Sequence, residues 1–180
     1  MMKTYTEKEV LDASLRYFGD DEFATTTWMK KYALKTIDEF NNRIYLELTP
    51  DDMHRRLAKE IARIEEKYPH PLSEEKLFGY FKNFEYIVPQ GGSMSTIGNN
   101  LTIQSISNCF VIGNSENSDS YGGIFRIDEE QVQLGKRRGG VGHDLSNLRP
   151  ESAPVTNAAE TSSGVASFME RYSNSIREVA

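Results

Sequence analysis

The chain holds one cysteine, and its surroundings are the first place where chemistry could reside. Cys109 follows Ser105-Ile106-Ser107-Asn108 and precedes the apolar run Phe110-Val111-Ile112. A thiol in that setting is either a small buried hydrophobe or a reactive sulfur at the edge of a polar site. A second cluster is Lys136-Arg137-Arg138-Gly139-Gly140-Val141-Gly142, followed by Asp144-Leu145-Ser146-Asn147-Leu148-Arg149-Pro150. Three cations beside a glycine-rich turn can set positive charge and backbone N–H groups against a phosphate. The same cations also suit the negative end of a helix dipole. Neither cluster alone names a reaction.

Other chemistries fail on pattern. Gly140-Val141-Gly142-His143-Asp144-Leu145 starts like a G-x-G-x-x-G turn but ends in Leu, and no G-x-x-x-x-G-K-[ST] run occurs. One cysteine excludes an intramolecular disulfide and a Cys-rich zinc site. His54, His70 and His143 are scattered without ligand spacing and read as surface or hydrogen-bonded residues. The pairs Asp51-Asp52 and Glu129-Glu130 read as helical carboxylates facing water. With 21 basic and 27 acidic residues, a net charge of -6 and a pI near 5.2, the balance argues against a general nucleic-acid binder. No apolar stretch is long enough to span a membrane, and the charged start Met1-Met2-Lys3-Thr4-Tyr5-Thr6-Glu7-Lys8-Glu9 lacks the apolar core of a signal peptide. A cytoplasmic protein is the expectation.

The elements that must position these clusters fall into two textures. Before Pro89 there are 14 basic and 17 acidic residues, against 7 and 10 from Pro89 onward, where Gly, Ser and Asn become frequent. Residues 1–88 therefore read as a helical lobe, and residues 89–180 as strands, helices and ligand-facing loops. Thr6-Glu7-Lys8-Glu9 has capping-box spacing ahead of Val10, Leu11 and Leu15. A second helix is expected over Asp21 to Ala33, with Phe23, Trp28 and Tyr32 inward. Thr49-Pro50-Asp51-Asp52 starts a third, carrying Met53, Leu57, Ile61 and Ile64 at helical spacing before Pro69. Ser73-Glu74-Glu75 opens a fourth through Phe78 and Phe81.

Beyond Pro89, Leu101-Thr102-Ile103-Gln104-Ser105 alternates at period two and Cys109 to Ile112 is a short apolar run, so both read as strands in a mostly buried sheet. A helix is expected over Tyr121 to Arg138 with Ile124, Ile127 and Leu134 inward, broken by Gly139 to Gly142. A last one, about Ser162 to Val179, would bury Val165, Phe168, Met169, Tyr172 and Ile176. Strand, helix, strand-like turn and helix make a mixed α/β unit. The final helix meets no stop signal, and a sheet this small leaves an edge bare, so a chain cut off within a domain is expected.

Taken in order, the blocks are specific. Pro89-Gln90-Gly91-Gly92-Ser93-Met94, Ser107-Asn108-Cys109-Phe110-Val111-Ile112, Asp119-Ser120-Tyr121-Gly122-Gly123-Ile124 and the run from Lys136 to Pro150 closely resemble the N-terminal part of the catalytic subunit of ribonucleotide reductase. The ending from Gly164 to Ala180 fits as well. The resemblance spans essentially all 180 residues and leans toward the adenosylcobalamin-dependent group and its close bacterial class I relatives. It implies a helical lobe followed by the first part of a ten-stranded α/β barrel. The implied activity is the thiyl-radical conversion of ribonucleotides to deoxyribonucleotides for DNA synthesis, of the ribonucleoside-diphosphate reductase type. Cys109 matches one of the two thiols that reduce the substrate. Ser93, Asn108 and Gly140 match positions lining the substrate site, Gly140 because a Cβ would intrude on the nucleotide. Asp119, Ser120 and Arg149 match segments bordering an allosteric dNTP effector site at a dimer interface.

The resemblance also implies what lies elsewhere. The radical cysteine, the second redox cysteine and the C-terminal cysteine pair fall beyond Ala180, so activity is expected only with a complementary C-terminal polypeptide. Adenosylcobalamin, if used, would be bound by that missing part, and thioredoxin or glutaredoxin would reduce the whole enzyme. An ATP cone, and with it an overall activity switch, is not expected in this segment. The run Glu151-Ser152-Ala153-Pro154 departs from the family, which has a Gly shortly after Arg-Pro. A second reading is a non-catalytic nucleotide-binding and dimerisation module that kept the loops without the reaction.

Overall fold

In the computed structural model, residues 3–113 and 117–179 are described, and they form two compact units, Met1–Ile106 and Ser107–Ala180. The change of texture at Pro89 precedes the division between units because residues 91–98 fold onto the helical lobe. Met94 is buried in that lobe's core.

The first unit is built mainly from helices whose ends are chemically fixed. Helix α1 (Glu7–Tyr17) begins at a complete capping box, with the Thr6 hydroxyl accepting Glu9 N–H and the Glu9 carboxylate accepting Thr6 N–H. Helix α2 (Glu22–Lys31) is capped by Asp21. Helix α3 (Pro50–Glu65) begins with Pro in its first turn behind Thr49, and Asp52 turns back to accept Leu48 and Thr49 N–H. Helix α4 (Glu74–Phe81) starts at Ser73, and α5 (Gly91–Thr96) is a short helix. Trp28, Tyr45, Met53, Leu57 and Phe81 make the core, each contributing about 1.5–3 kcal/mol by leaving water.

Three expectations for this unit change. Phe23 is 80% exposed. The inward stripe of α2 is Thr25, Trp28 and Met29, spaced three and four apart, and Phe23 falls out of phase with it. A hairpin that the sequence reading lacks pairs β1 (Lys35–Ile37) antiparallel with β2 (Arg43–Tyr45). Asp38 builds its turn by accepting Phe40 and Asn42 N–H at 3.0 and 2.7 Å. The strand expected over Leu101 to Ser105 does not form. The Asn99 side chain takes Leu101 N–H at 2.9 Å and holds the Thr102 hydroxyl at 3.1 Å, and Ile103 is left 82% exposed.

The second unit is a β-α-β-α run. Strand β3 (Cys109–Ile112) leads through helix α6 (Tyr121–Gly135) to β4 (Gly140–His143), which pairs with β3 in parallel, and α7 (Val165–Val179) follows. Gly139 to Gly142, expected as a break, thus supplies most of a strand. Helix α6 ends three residues before Arg138, which sits at φ 66 in the left-handed region. Helix α7 begins at Val165 because Gly164 stands at φ 81 with its backbone against Glu151. Ile124, Ile127, Leu148 and Tyr172 form the core, whereas Met169, expected inward, is half exposed. Among the described residues the strands make two separate pairs, with no closed barrel, and no helix is long and apolar enough to cross a membrane.

Candidate functional site

Parallel pairing puts Cys109 opposite Gly140, Phe110 opposite Val141, Val111 opposite Gly142 and Ile112 opposite His143. Side chains alternate across a strand, so the pair has two different faces. Phe110, Ile112, Val141 and His143 are half-buried on the helix side, where Ile112 joins the α6–α7 core and His143 stacks on Tyr172 at 4.5 Å. Cys109, Val111, Gly140 and Gly142 are exposed on the other. Cys109 is therefore not the buried packing thiol that one reading allowed. It stands on a face to which β4 contributes only glycines, with Val111 beside it 80% exposed. Gly140 N–H donates to Asn108 O at 2.6 Å, and a Cβ at Gly140 would lie 3.0 Å from that oxygen. Asn108, Cys109 and Gly140 are thus brought together, while Ser93 belongs to the other unit, on α5.

Behind the sheet lies a polar cluster that the sequence reading missed. Gln131 is fully buried and donates to Asp128 Oδ1 at 2.8 Å and to Tyr172 O at 3.0 Å, and Arg171 Nε meets Asp128 Oδ2 at 3.0 Å. Burial lowers the His143 pKa, opposed by Asp128, and raises that of Tyr172. The available signal was Asp128 and Gln131 interrupting the apolar stripe of Ile124 and Ile127.

Asp119, Ser120 and Arg149 line one cavity of about 350 Å³, together with Val155, Thr161 and Phe168. Asp119 accepts Arg149 N–H at 3.2 Å and Arg149 Nε at 2.8 Å, and Arg149 Nη1 reaches Pro154 O at 3.1 Å. The guanidinium keeps unused donors after those bonds. Ser120 is the N-cap of α6, accepting Gly123 N–H at 3.0 Å and donating to Asn117 O at 2.9 Å. Of the basic run, Arg137 turns back onto Gln133 O at 2.6 Å, as a cation at a helix C-terminus does.

The loop after Arg149, which lacks the glycine that the resemblance leads one to expect, places a serine in the left-handed region. Ser152 has φ 65, a left-handed backbone that glycine adopts without strain, and is held there by donating its N–H to Ser162 O at 2.9 Å. Ser152→Gly is expected to raise stability by about 0.5–1 kcal/mol, relief of the left-handed strain exceeding the added chain entropy. Thermal unfolding of the two chains measures it, and a lower Tm for the glycine variant would refute the strain.

A parallel β-α-β unit with a following helix defines the class of this segment as α/β. Residues 107–180 match the family model described as the ribonucleotide reductase barrel domain. The matched span is the second unit, beginning at the residue where that unit begins. The match supports an oxidoreductase of the ribonucleotide reductase type, in deoxyribonucleotide biosynthesis.

Proposed function

We propose that this chain is the N-terminal segment of a ribonucleotide reductase catalytic subunit, with Cys109 as one of its two substrate-reducing thiols. The observation that carries the reading is the exposed Cys109 face opposite the helix-packed one. In an α/β barrel the helices wrap the outside, so the bare face turns inward, where substrate lies. The remaining strands of the ten-stranded barrel, the radical cysteine and the second thiol come from a complementary C-terminal polypeptide.

The chemistry assigned to this chain is a half-share of a two-electron reduction. Ribonucleotide and two thiols give 2′-deoxyribonucleotide, one disulfide and water. The C2′–O bond breaks, the hydroxyl leaves as water with one thiol hydrogen, the other hydrogen is added at C2′, and a sulfur–sulfur bond forms. Asn108, Gly140 and Ser93 line the substrate, and Gly140 lets the nucleotide approach the strand. Among the described residues no three His, Cys, Asp or Glu converge as a metal site. Adenosylcobalamin, for an enzyme of that group, would be bound by the complementary polypeptide and would supply the radical there. Thioredoxin or glutaredoxin would re-reduce the disulfide, a dNTP would occupy the Asp119, Ser120 and Arg149 cavity as effector, and the complete subunit would act as a dimer in the cytoplasm.

Mixing the chain with a polypeptide supplying the rest of the barrel is expected to yield deoxyribonucleotide from CDP or CTP, with dithiothreitol as reductant and a radical source present. No product in any combination would sink the catalytic reading. The non-catalytic module shares the cavity around Arg149 with the catalytic reading and differs from it by predicting dNTP binding without turnover.

A further inference from the structure

Helix α5 has little reason to be helical by itself. It spans only Gly91–Thr96, below the length at which a helix stands alone, and it opens with two glycines. Yet the carbonyls at its C-terminal end all have donors. Ser93 O accepts Ile97 N–H at 3.1 Å, Thr96 O accepts Asn99 N–H at 2.9 Å, and Ser95 O accepts Asn99 Nδ2 at 2.9 Å. The others are held by one side chain of α3. Arg56 Nη2 donates to Met94 O at 3.0 Å and Nη1 donates to Ile97 O.

Arg56 is itself fixed. Its Nε donates to Glu47 Oε1 at 2.7 Å, and Glu47 Oε2 accepts Leu34 N–H at 2.7 Å. Both side chains are nearly buried, 11% and 4% exposed. Gly98 lies against the Arg56 stem at φ 72, where a Cβ would come 2.7 Å from Arg56 Cγ. The hydroxyls of the loop are committed except one. Ser95 Oγ donates to Gly91 O and Gly92 O at 3.1 and 3.2 Å, and Thr96 Oγ1 reaches Ser105 O at 3.4 Å. Among the described residues the half-buried Ser93 hydroxyl makes no hydrogen bond.

We propose that Arg56 is a positioning residue for the nucleotide site: by clamping the end of α5 it holds the Ser93 hydroxyl in place to bond the ribonucleotide. The inference rests on the reading of Ser93 as a substrate-lining residue. A planar guanidinium reaches Glu47, Met94 O and Ile97 O in fixed directions at once, which a lysine ammonium on a flexible stem does not.

The test is a kinetic cycle on the whole chain in complex with its complementary polypeptide, with CDP and CTP as substrates. Arg56→Lys and Ser93→Ala are each expected to raise KM about five- to tenfold, the effect of one lost hydrogen bond, with kcat little changed. Arg56→Lys in the Ser93→Ala background is expected to add nothing, because both act through one contact. Glu47→Gln, which keeps the Leu34 acceptor while loosening Arg56, should shift KM the same way and serves where Arg56→Lys fails to fold. Additive KM effects, or a lowered Tm with unchanged KM, overturn the positioning role while leaving the reductase reading intact. A wild-type complex without turnover overturns both.

Discussion

Cys109→Ser in the reconstituted complex is expected to lower ribonucleotide turnover at least about a thousandfold while leaving KM near its wild-type value. Serine nearly matches the size of cysteine but cannot give up electrons to form a disulfide, so on the proposed reading the change removes an atom used only in the chemical step. Folding should be untouched. Cys109 is exposed, and a substitution at such a surface stays within about 0.5 kcal/mol. A loss of turnover at unchanged Tm and unchanged KM is therefore attributable to the thiol. The measurement is deoxyribonucleotide formed per complex over several turnovers with thioredoxin or dithiothreitol. A Cys109→Ser complex that turns over at the wild-type rate removes Cys109 from the reaction.

What makes this test clean was only half legible in sequence. Phe110-Val111-Ile112 announces a strand, yet an apolar run does not say which face is covered. That depends on pairing with β4, which begins thirty-one residues beyond Cys109 and is written in glycines that propensity assigns to a turn. Once Gly140–His143 is a strand, alternation assigns Cys109 to the bare side without further information. Helix starts were legible because capping is local: Thr6, Asp21, Thr49 and Ser73 each announce theirs within three residues. The Leu101 to Ser105 stretch shows the converse, where period-two alternation lost to the side-chain bonds of Asn99.

The Arg56 clamp lay further from view. Glu47, Arg56 and residues 94–98 are an acid, a base and a turn in three separate segments, and their meeting is a product of tertiary packing. Nothing in local spacing distinguishes Arg56 from Arg55, which instead pairs with Glu75 and lies over the Phe78 ring. The same holds for His54, one position earlier, which sequence reading assigns to the surface or to a hydrogen bond. It is fully buried, with both ring nitrogens lacking a hydrogen bond. Position 54 falls on the inner stripe of α3 beside Met53, Leu57 and Ala58, and the helix period decides its burial whatever its polarity.

That burial makes the first unit acid-labile in a defined window. The His54 ring lies edge-on to Phe84 at 4.5 Å and parallel to Phe81 at 6.2 Å, while its Nδ1 is 3.6 Å from Asp51 Oδ1, beyond hydrogen-bond reach. Asp51 is also bonded by the Tyr17 hydroxyl at 3.1 Å. Burial pushes the His54 pKa below its ordinary value, against the weaker pull of Asp51. The unfolded chain then binds a proton near pH 6.5 that the folded unit refuses. Stability is full above that pH and falls as pH drops from about 6.5 toward the folded-state value, by up to about 1.4 kcal/mol per pH unit. Carboxylates held low, such as Asp38 and Glu60, titrate further down and leave this window to histidine. His143 acts with the same sign but in the second unit. The single tryptophan, Trp28, is buried in the first, so its emission during urea unfolding reports that unit. His54→Phe fills the space between Phe81 and Phe84 and removes two unsatisfied nitrogens, so it is expected to stabilise the unit by about 1–3 kcal/mol and flatten its response between pH 6.5 and 5. Wild-type and His54→Phe chains with parallel pH dependence by Trp28 emission would show that His54 is not the group responsible.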